Sequence, residues 1–92
     1  MHLVELTEYL IKSLVKDPEM VSVKKFDDDE ETITIQVLVD NDDMGAVIGK
    51  GGVTANAIRT IIQASAYINK DKRVKINIDS FWYFQVSITL VR

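Results

Sequence analysis

Val47-Ile48-Gly49-Lys50-Gly51-Gly52-Val53 is the stretch whose reading decides the fold: three glycines and a lysine set between a short apolar segment and a long one. A glycine has no Cβ, so its backbone takes positive φ and lets another backbone approach closely; a phosphodiester strand can lie directly on such a bend. The amides that open the following helix, its dipole and the mobile charge of Lys50 all favour a phosphate there. Spacing excludes two other nucleotide motifs. A P-loop needs four residues between its first glycine and a Gly-Lys pair followed by Ser or Thr, but Gly45 is followed by only three before Gly49-Lys50, and Gly51 comes next. A dinucleotide-binding turn needs a glycine three places after Gly51, where Thr54 stands, and a strand leading into it, which is missing. What remains is Gly-x-x-Gly, Gly49 to Gly52, between two helices. By itself that tetrad is equally a plain helix-to-helix turn with a glycine cap.

Working outward, residues 53–68 carry Val53, Ala57, Ile61, Ala64 and Ile68 at helical spacing, with Ile58 and Ile62 on the flank and Asn56, Arg59, Thr60 and Gln63 forming the polar side. The first stripe is expected to meet a sheet. Arg73-Val74-Lys75-Ile76-Asn77-Ile78-Asp79 alternates as a strand with Val74, Ile76 and Ile78 inward. On the other side of the glycines, Asp40-Asn41-Asp42-Asp43 suits a helix N-cap before a short helix over residues 44–48. Upstream, residues 21–26 and 32–39 predict a hairpin around the acidic run Asp27-Asp28-Asp29-Glu30-Glu31, with Ile33, Ile35, Val37 and Val39 on the inner face. The acidic run reads as a solvated turn that blunts a sheet edge. Leu3, Leu6, Leu10 and Leu14 predict an amphipathic helix over residues 3–16, stopped by Asp17-Pro18. The order is helix, strand, strand, helix, helix, strand.

The 92 residues, 47% of them hydrophobic, suffice for one core and one domain. With no cysteine and a single histidine at His2, disulfides are excluded and no nitrogen-sulfur cluster is left for a transition metal. Nothing supports a nucleophile or a proton-transfer pair, so an enzyme is not expected, nor a cofactor or small-molecule substrate. No stretch reaches the roughly 18 apolar residues a membrane span needs, and the amino terminus lacks a leader pattern, which predicts a cytoplasmic protein. A net charge of −3 argues against a polyanionic partner, yet the charge is uneven: residues 1–48 hold four basic and twelve acidic side chains, residues 49–92 seven and two. One basic face is therefore expected despite the acidic total.

Val47-Ile48-Gly49-Lys50-Gly51-Gly52, followed by an amphipathic helix and a strand, resembles the core of KH domains, modules that clamp about four nucleotides of single-stranded RNA on this loop. With a helix and strand preceding the core, the layout is similar to the type II arrangement: an α+β fold (αββααβ) with a three-stranded mixed sheet and helices on one face. More closely, residues 39–62, including Asp43-Met44-Gly45 and Ala57-Ile58-Arg59-Thr60, resemble the bacterial single-KH-domain family called KhpA. The resemblance spans residues 1–79. It implies that Gly49, Lys50, Gly51 and Gly52 meet the RNA backbone, and that Ile48, Val53, Val37 and Val39 form a narrow apolar groove for bases. Arg59 is a candidate contact to a flanking phosphate, or an ordinary exposed helix charge. It further implies an RNA chaperone or post-transcriptional regulator linked to cell elongation and division, acting as a homodimer or with KhpB (also called Jag). Ile58 and Ile62 either complete the core or serve self-association.

Residues 80–92 depart from that family. Ser80-Phe81-Trp82-Tyr83-Phe84 places four aromatics together, and Val86, Ile88 and Leu90 alternate with polar residues, a pattern that reads as an extra strand. This extension is expected to pack on the domain or a partner, with base stacking by Trp82 or Tyr83 the other option. Two functions are compatible with the sequence: an RNA-binding module, or a KH-shaped adaptor for protein assembly with little RNA contact, which the acidic total and the apolar tail favour.

Overall fold

The computed structural model describes residues 3–83 and 85. Strand β2 (Thr32–Val39) organises the domain, because its alternation is strict: Ile33, Ile35, Val37 and Val39 are buried and the residues between them are not. Strand β1 (Ser22–Asp27) pairs with it antiparallel, setting Val23 opposite Val37, and β3 (Arg73–Ser80) pairs with it parallel, setting Ile35 opposite Ile76 and Val39 opposite Ser80. The order β1-β2-β3 makes a mixed sheet with β2 in the middle. A parallel pair requires a crossover, and here it is α2 (Met44–Ile48), the glycine loop and α3 (Val53–Ile68). Helix α1 (Leu3–Lys12) adds Leu3 and Ile11 to a core shared by Val47, Ile58, Ile62 and the inward residues of β2 and β3. Each such side chain stabilises the fold by about 1.5–3 kcal/mol through burial. The other sheet face, with Thr34, Gln36, Lys75 and Asn77, contributes none of the core.

Two helix readings are corrected. Helix α1 stops at Lys12 instead of continuing to residue 16, and its buried line is Leu3, Thr7 and Ile11, with Leu6 and Leu10 on the flank and Leu14 exposed. Thr7 fits this apolar line because its hydroxyl donates to Leu3 O at 2.8 Å, so its buried oxygen is paired. Helix α3 is rotated about half a turn from expectation: Ala55, Ile58, Ile62 and Ala66 face the sheet, whereas Val53, Ile61 and Ile68 are 69%, 46% and 75% exposed. Both arcs of α3 are apolar, so periodicity cannot choose between them. The choice follows from β3, an edge strand with outward carbonyls to satisfy. Only with Ile58 and Ile62 inward do Arg59 and Gln63 reach it, Nε donating to Ile76 O at 3.3 Å and Nε2 to Val74 O at 3.3 Å. Ala55 and Ala66, at the ends of the buried arc, keep that face slim.

The acidic run builds the β1-β2 turn as well as solvating it. Asp29 accepts from the amides of Glu31 (2.7 Å) and Thr32 (2.8 Å), and Asp28 accepts from the Thr34 hydroxyl. Those amide bonds hold the Asp29 carboxyl below its ordinary range, so its contribution is complete at neutral pH and is lost as pH falls through that lowered value.

One carboxylate ties the amino-terminal segment to the glycine loop's own helix. Asp43, buried just before α2, accepts from the amides of Lys16 (3.0 Å) and Asp17 (3.2 Å), fixing the turn after α1 against the start of α2. Replacing it strands two amides, so Asp43→Ala should lower unfolding stability by about 1–3 kcal/mol in urea denaturation. The exposed neighbour Asp42→Ala should change it by no more than about 0.5 kcal/mol.

Candidate nucleic-acid interface

The connection between α2 and α3 turns the chain within four residues, and it does so mostly in backbone that only glycine adopts with ease. Gly49 has φ 76° and ψ 168°, Gly51 φ 66° and Gly52 φ 82°; Lys50 alone keeps an ordinary conformation. Gly49 is doubly constrained, because a Cβ there would sit 2.9 Å from the Thr54 amide nitrogen and closer still to the Thr54 hydroxyl. At Gly51 a side chain would meet nothing within 4 Å. The bend is held by Gly49 N donating to Gly45 O at 2.9 Å and Gly52 N donating to Gly49 O at 3.1 Å. Lys50 and Gly51 are exposed at its tip.

This arrangement can take an anion. The tip carries one cation, no acid, and bare backbone that leads directly into the amino terminus of a 16-residue helix, whose dipole favours negative charge. Beside it stand Ile48, half-buried, and Val53, largely exposed, as a small apolar wall. These six consecutive residues, Ile48 to Val53, are those the sequence reading names around the loop.

The remaining candidates lie elsewhere. Val37 and Val39 are 0% exposed, and β2 is the central strand with both edges paired, so neither their side chains nor a free strand edge is available to a base. Strand β3 borders α3 instead. Arg59 lies on that border, its Nε on Ile76 O and its Nη1 on Asn56 Oδ1 at 3.2 Å. The basic half of the sequence does not form one face. Lys50 stands at one end of α3, while Lys70, Lys72 and Arg73 lie beyond the other end, about 24 Å away for sixteen residues of helix. There Lys72 is engaged with Asp27 at 3.6 Å and with Asp29 O at 3.2 Å. Sequence reasoning gave no anchoring role to Asp43, which holds α2, or to Thr54, which closes on Gly49; the traces of the first were its place in an N-cap cluster and in the Asp43-Met44-Gly45 stretch. Among the described residues no group of three or more His, Asp or Glu could hold a metal ion, and no helix is long and apolar enough to cross a membrane.

A sequence model of the KhpA/KhpB KH domain matches residues 4–78, which takes in both helices around the loop and reaches all three strands. The chain belongs to the KhpA/KhpB KH-domain family. RNA-binding protein KhpA of Clostridium perfringens is 46% identical over 74 residues, covering 80% of this chain and 96% of that protein. KhpA of Halalkalibacterium halodurans is 41% identical over 73 residues, covering 79% and 93%. Two crystal structures of Era share the fold: one from Aquifex aeolicus bound to GDP and aluminium fluoride (TM-score 0.61, 16% identity), the other in complex with MgGDPNP and nucleotides 1506–1542 of 16S ribosomal RNA (TM-score 0.60, 17% identity). Each superposes on 85% of this chain, which spans only 30% of Era. The KhpA-type match stops at Ile78 and leaves the aromatic segment outside it.

The loop geometry predicts an ordering of glycine substitutions. Gly49→Ala should cost stability by about 1–3 kcal/mol, from both the strained φ/ψ and the collision with Thr54. Gly45→Ala, inside α2 with open space around it, should be neutral or stabilise by up to about 1 kcal/mol in thermal unfolding.

Proposed function

We propose that this protein binds single-stranded RNA by clamping the sugar-phosphate backbone on the Gly49-Lys50-Gly51-Gly52 loop. The observation that carries the reading is the bend itself: three positive-φ glycines and an exposed Lys50 at the mouth of α3, in a chain of the KhpA/KhpB family. The glycines admit the strand, Lys50 neutralises a phosphate, and Ile48 and Val53 give bases a shallow apolar rest. The helix and strand ahead of the βααβ core support a type II KH arrangement. Arg59, which bonds Ile76 and Asn56 between α3 and the β3 edge, is the candidate in this reading for contact with a nucleotide leaving the loop. With one loop cation and no aromatic in the loop, binding is weak and tolerant of sequence, which suits a cytoplasmic RNA chaperone or post-transcriptional regulator of the kind linked to cell elongation and division. Replacing Lys50 and Gly51 together with aspartate should abolish binding to a single-stranded oligonucleotide while leaving the circular dichroism spectrum unchanged. Unaltered affinity in the folded double variant would reject the loop. Wild-type affinity should also fall steeply with added salt.

A second component, assembly, is supported by the exposed face of α3. Val53, Ala57, Ile61 and Ile68 line a solvent-facing stripe with nothing from the described chain upon it, while Ile58 and Ile62 are consumed by the core. Such a stripe suits a homodimer, or a complex with a KhpB-type protein, and it gives the adaptor reading a specific surface. Ile61→Glu should shift the sedimentation profile from dimer to monomer without unfolding the chain; a wild-type monomer would remove this component and leave the loop proposal standing.

A further inference from the structure

We infer that Trp82 is a stacking platform for an unpaired base of the same RNA strand that the glycine loop holds, an inference that rests on the loop being the RNA site. Register places Trp82 at the right end of the molecule. Strands β2 and β3 are parallel and end together, Val39 opposite Ser80, and it is from Val39 that the chain passes into α2 and the loop. The two bonds between α3 and β3 measure the rest: Arg59 is level with Ile76 and Gln63 with Val74. Seven residues of helix from Arg59 back to Gly52 span about 10 Å, and four residues of strand from Ile76 on to Ser80 span about 13 Å. Gly52 and Ser80 are therefore at about the same height, and the chain leaves β3 at the end of the molecule that carries the loop.

The turn after Ser80 is held in place and faces outward. Ser80 is buried, and its Oγ accepts from the Tyr83 amide at 3.0 Å, an N-cap that sets residues 81–83 as a helical turn directly on the strand end. On that turn Trp82 and Tyr83 are 66% and 59% exposed. Adjacent residues on a helix diverge by about 100°, so the two rings do not merge into one flat apolar patch of the kind a protein partner buries; they offer separate faces, as single bases require. The acids at this end include Asp79 and, following Val39, Asp40 and Asp42, while the loop contributes Lys50. A ring face stacks on a base without needing a charge of its own. Asp79, the nearest acid in sequence, shares the open sheet face with Gln36 and accepts from its Nε2 at 3.1 Å. The apolar stripe of α3 supplies a better surface for a second copy than this turn does. Stacking at Trp82 would add what the loop lacks, an aromatic contact, and would lengthen the site beyond the roughly four nucleotides a KH loop grips.

Trp82 is the sole tryptophan, so its fluorescence reports its own environment. The full chain is titrated with oligouridylates of four and eight nucleotides, with both anisotropy of the labelled RNA and tryptophan emission recorded. Both lengths should bind, only the octamer should quench Trp82, and Trp82→Ala should weaken the octamer by at least about fivefold while leaving the tetramer unchanged. Trp82→Phe should restore most of the loss. Octamer binding without quenching, with Trp82→Ala inside twofold of wild type, would overturn the inference and leave the loop reading intact. An equal loss for tetramer and octamer would assign Trp82 to folding, and a sedimentation change with RNA affinity unaltered would assign it to a second copy; either result overturns the stacking role. If wild type binds neither length, the loop reading falls and this inference with it.

Discussion

A chain that must pass from a five-residue helix into a sixteen-residue helix through a four-residue bend does so in backbone that favours glycine, and the RNA site proposed for this protein depends on that constraint. Gly49 is pressed against the start of α3 so closely that a single methyl group would collide with Thr54, and it takes a φ/ψ pair open almost only to glycine. Gly51 and Gly52 continue the turn at positive φ. The outcome is a stretch of uncovered backbone, aimed outward, with one ammonium group at its tip. In the function proposed, such a surface would recognise a polymer's backbone by closeness and charge, with little selectivity among bases. The rest of the fold keeps the bend in place: Asp43 anchors α2 to the turn after α1, and Arg59 and Gln63 fasten α3 to β3.

Helix α3 serves two masters with two apolar faces. Ile58 and Ile62 enter the core, and the arc of Val53, Ile61 and Ile68 is left to solvent. An ordinary surface helix would carry charge there. Retaining large aliphatic side chains on both sides costs solubility, and this is offset if the outer face meets another protein surface. The loop at one end of this helix and the stripe along it meet at Val53, so the proposed RNA contact and the proposed assembly share that residue and otherwise use different side chains.

Strands are the most legible part of the sequence, since period-two alternation in residues 32–39 and 73–79 leaves only one face to bury, and both strands bury it as read. The glycine loop is legible too, because its spacing rejects the P-loop and the dinucleotide-binding turn and leaves Gly-x-x-Gly between two helices. Helix α3 is readable in extent and not in rotation: when two arcs are equally apolar, the decision passes to tertiary bonds, here the β3 carbonyls, which no periodicity reports. The same limit explains Val37 and Val39. Their place on β2 is clear, but that β2 is the central strand, with no open edge, emerges only once β3 pairs parallel to it. Thr7 and Asp43 escape a sequence reading because a polar residue in a core is justified by a bond that the sequence does not display. Of residues 80–92, the suggested extra strand lies outside the described residues.

The central claim is most directly tested by mapping amide resonances of the isotope-labelled protein as single-stranded RNA is added. The account predicts that the largest changes fall on residues 48–54, with the amides of Lys50 and Gly51 moving most and the open sheet face around Gln36 and Asn77 quiet. Changes concentrated on that sheet face or on the outer stripe of α3, with the loop amides unmoved at saturation, would contradict it.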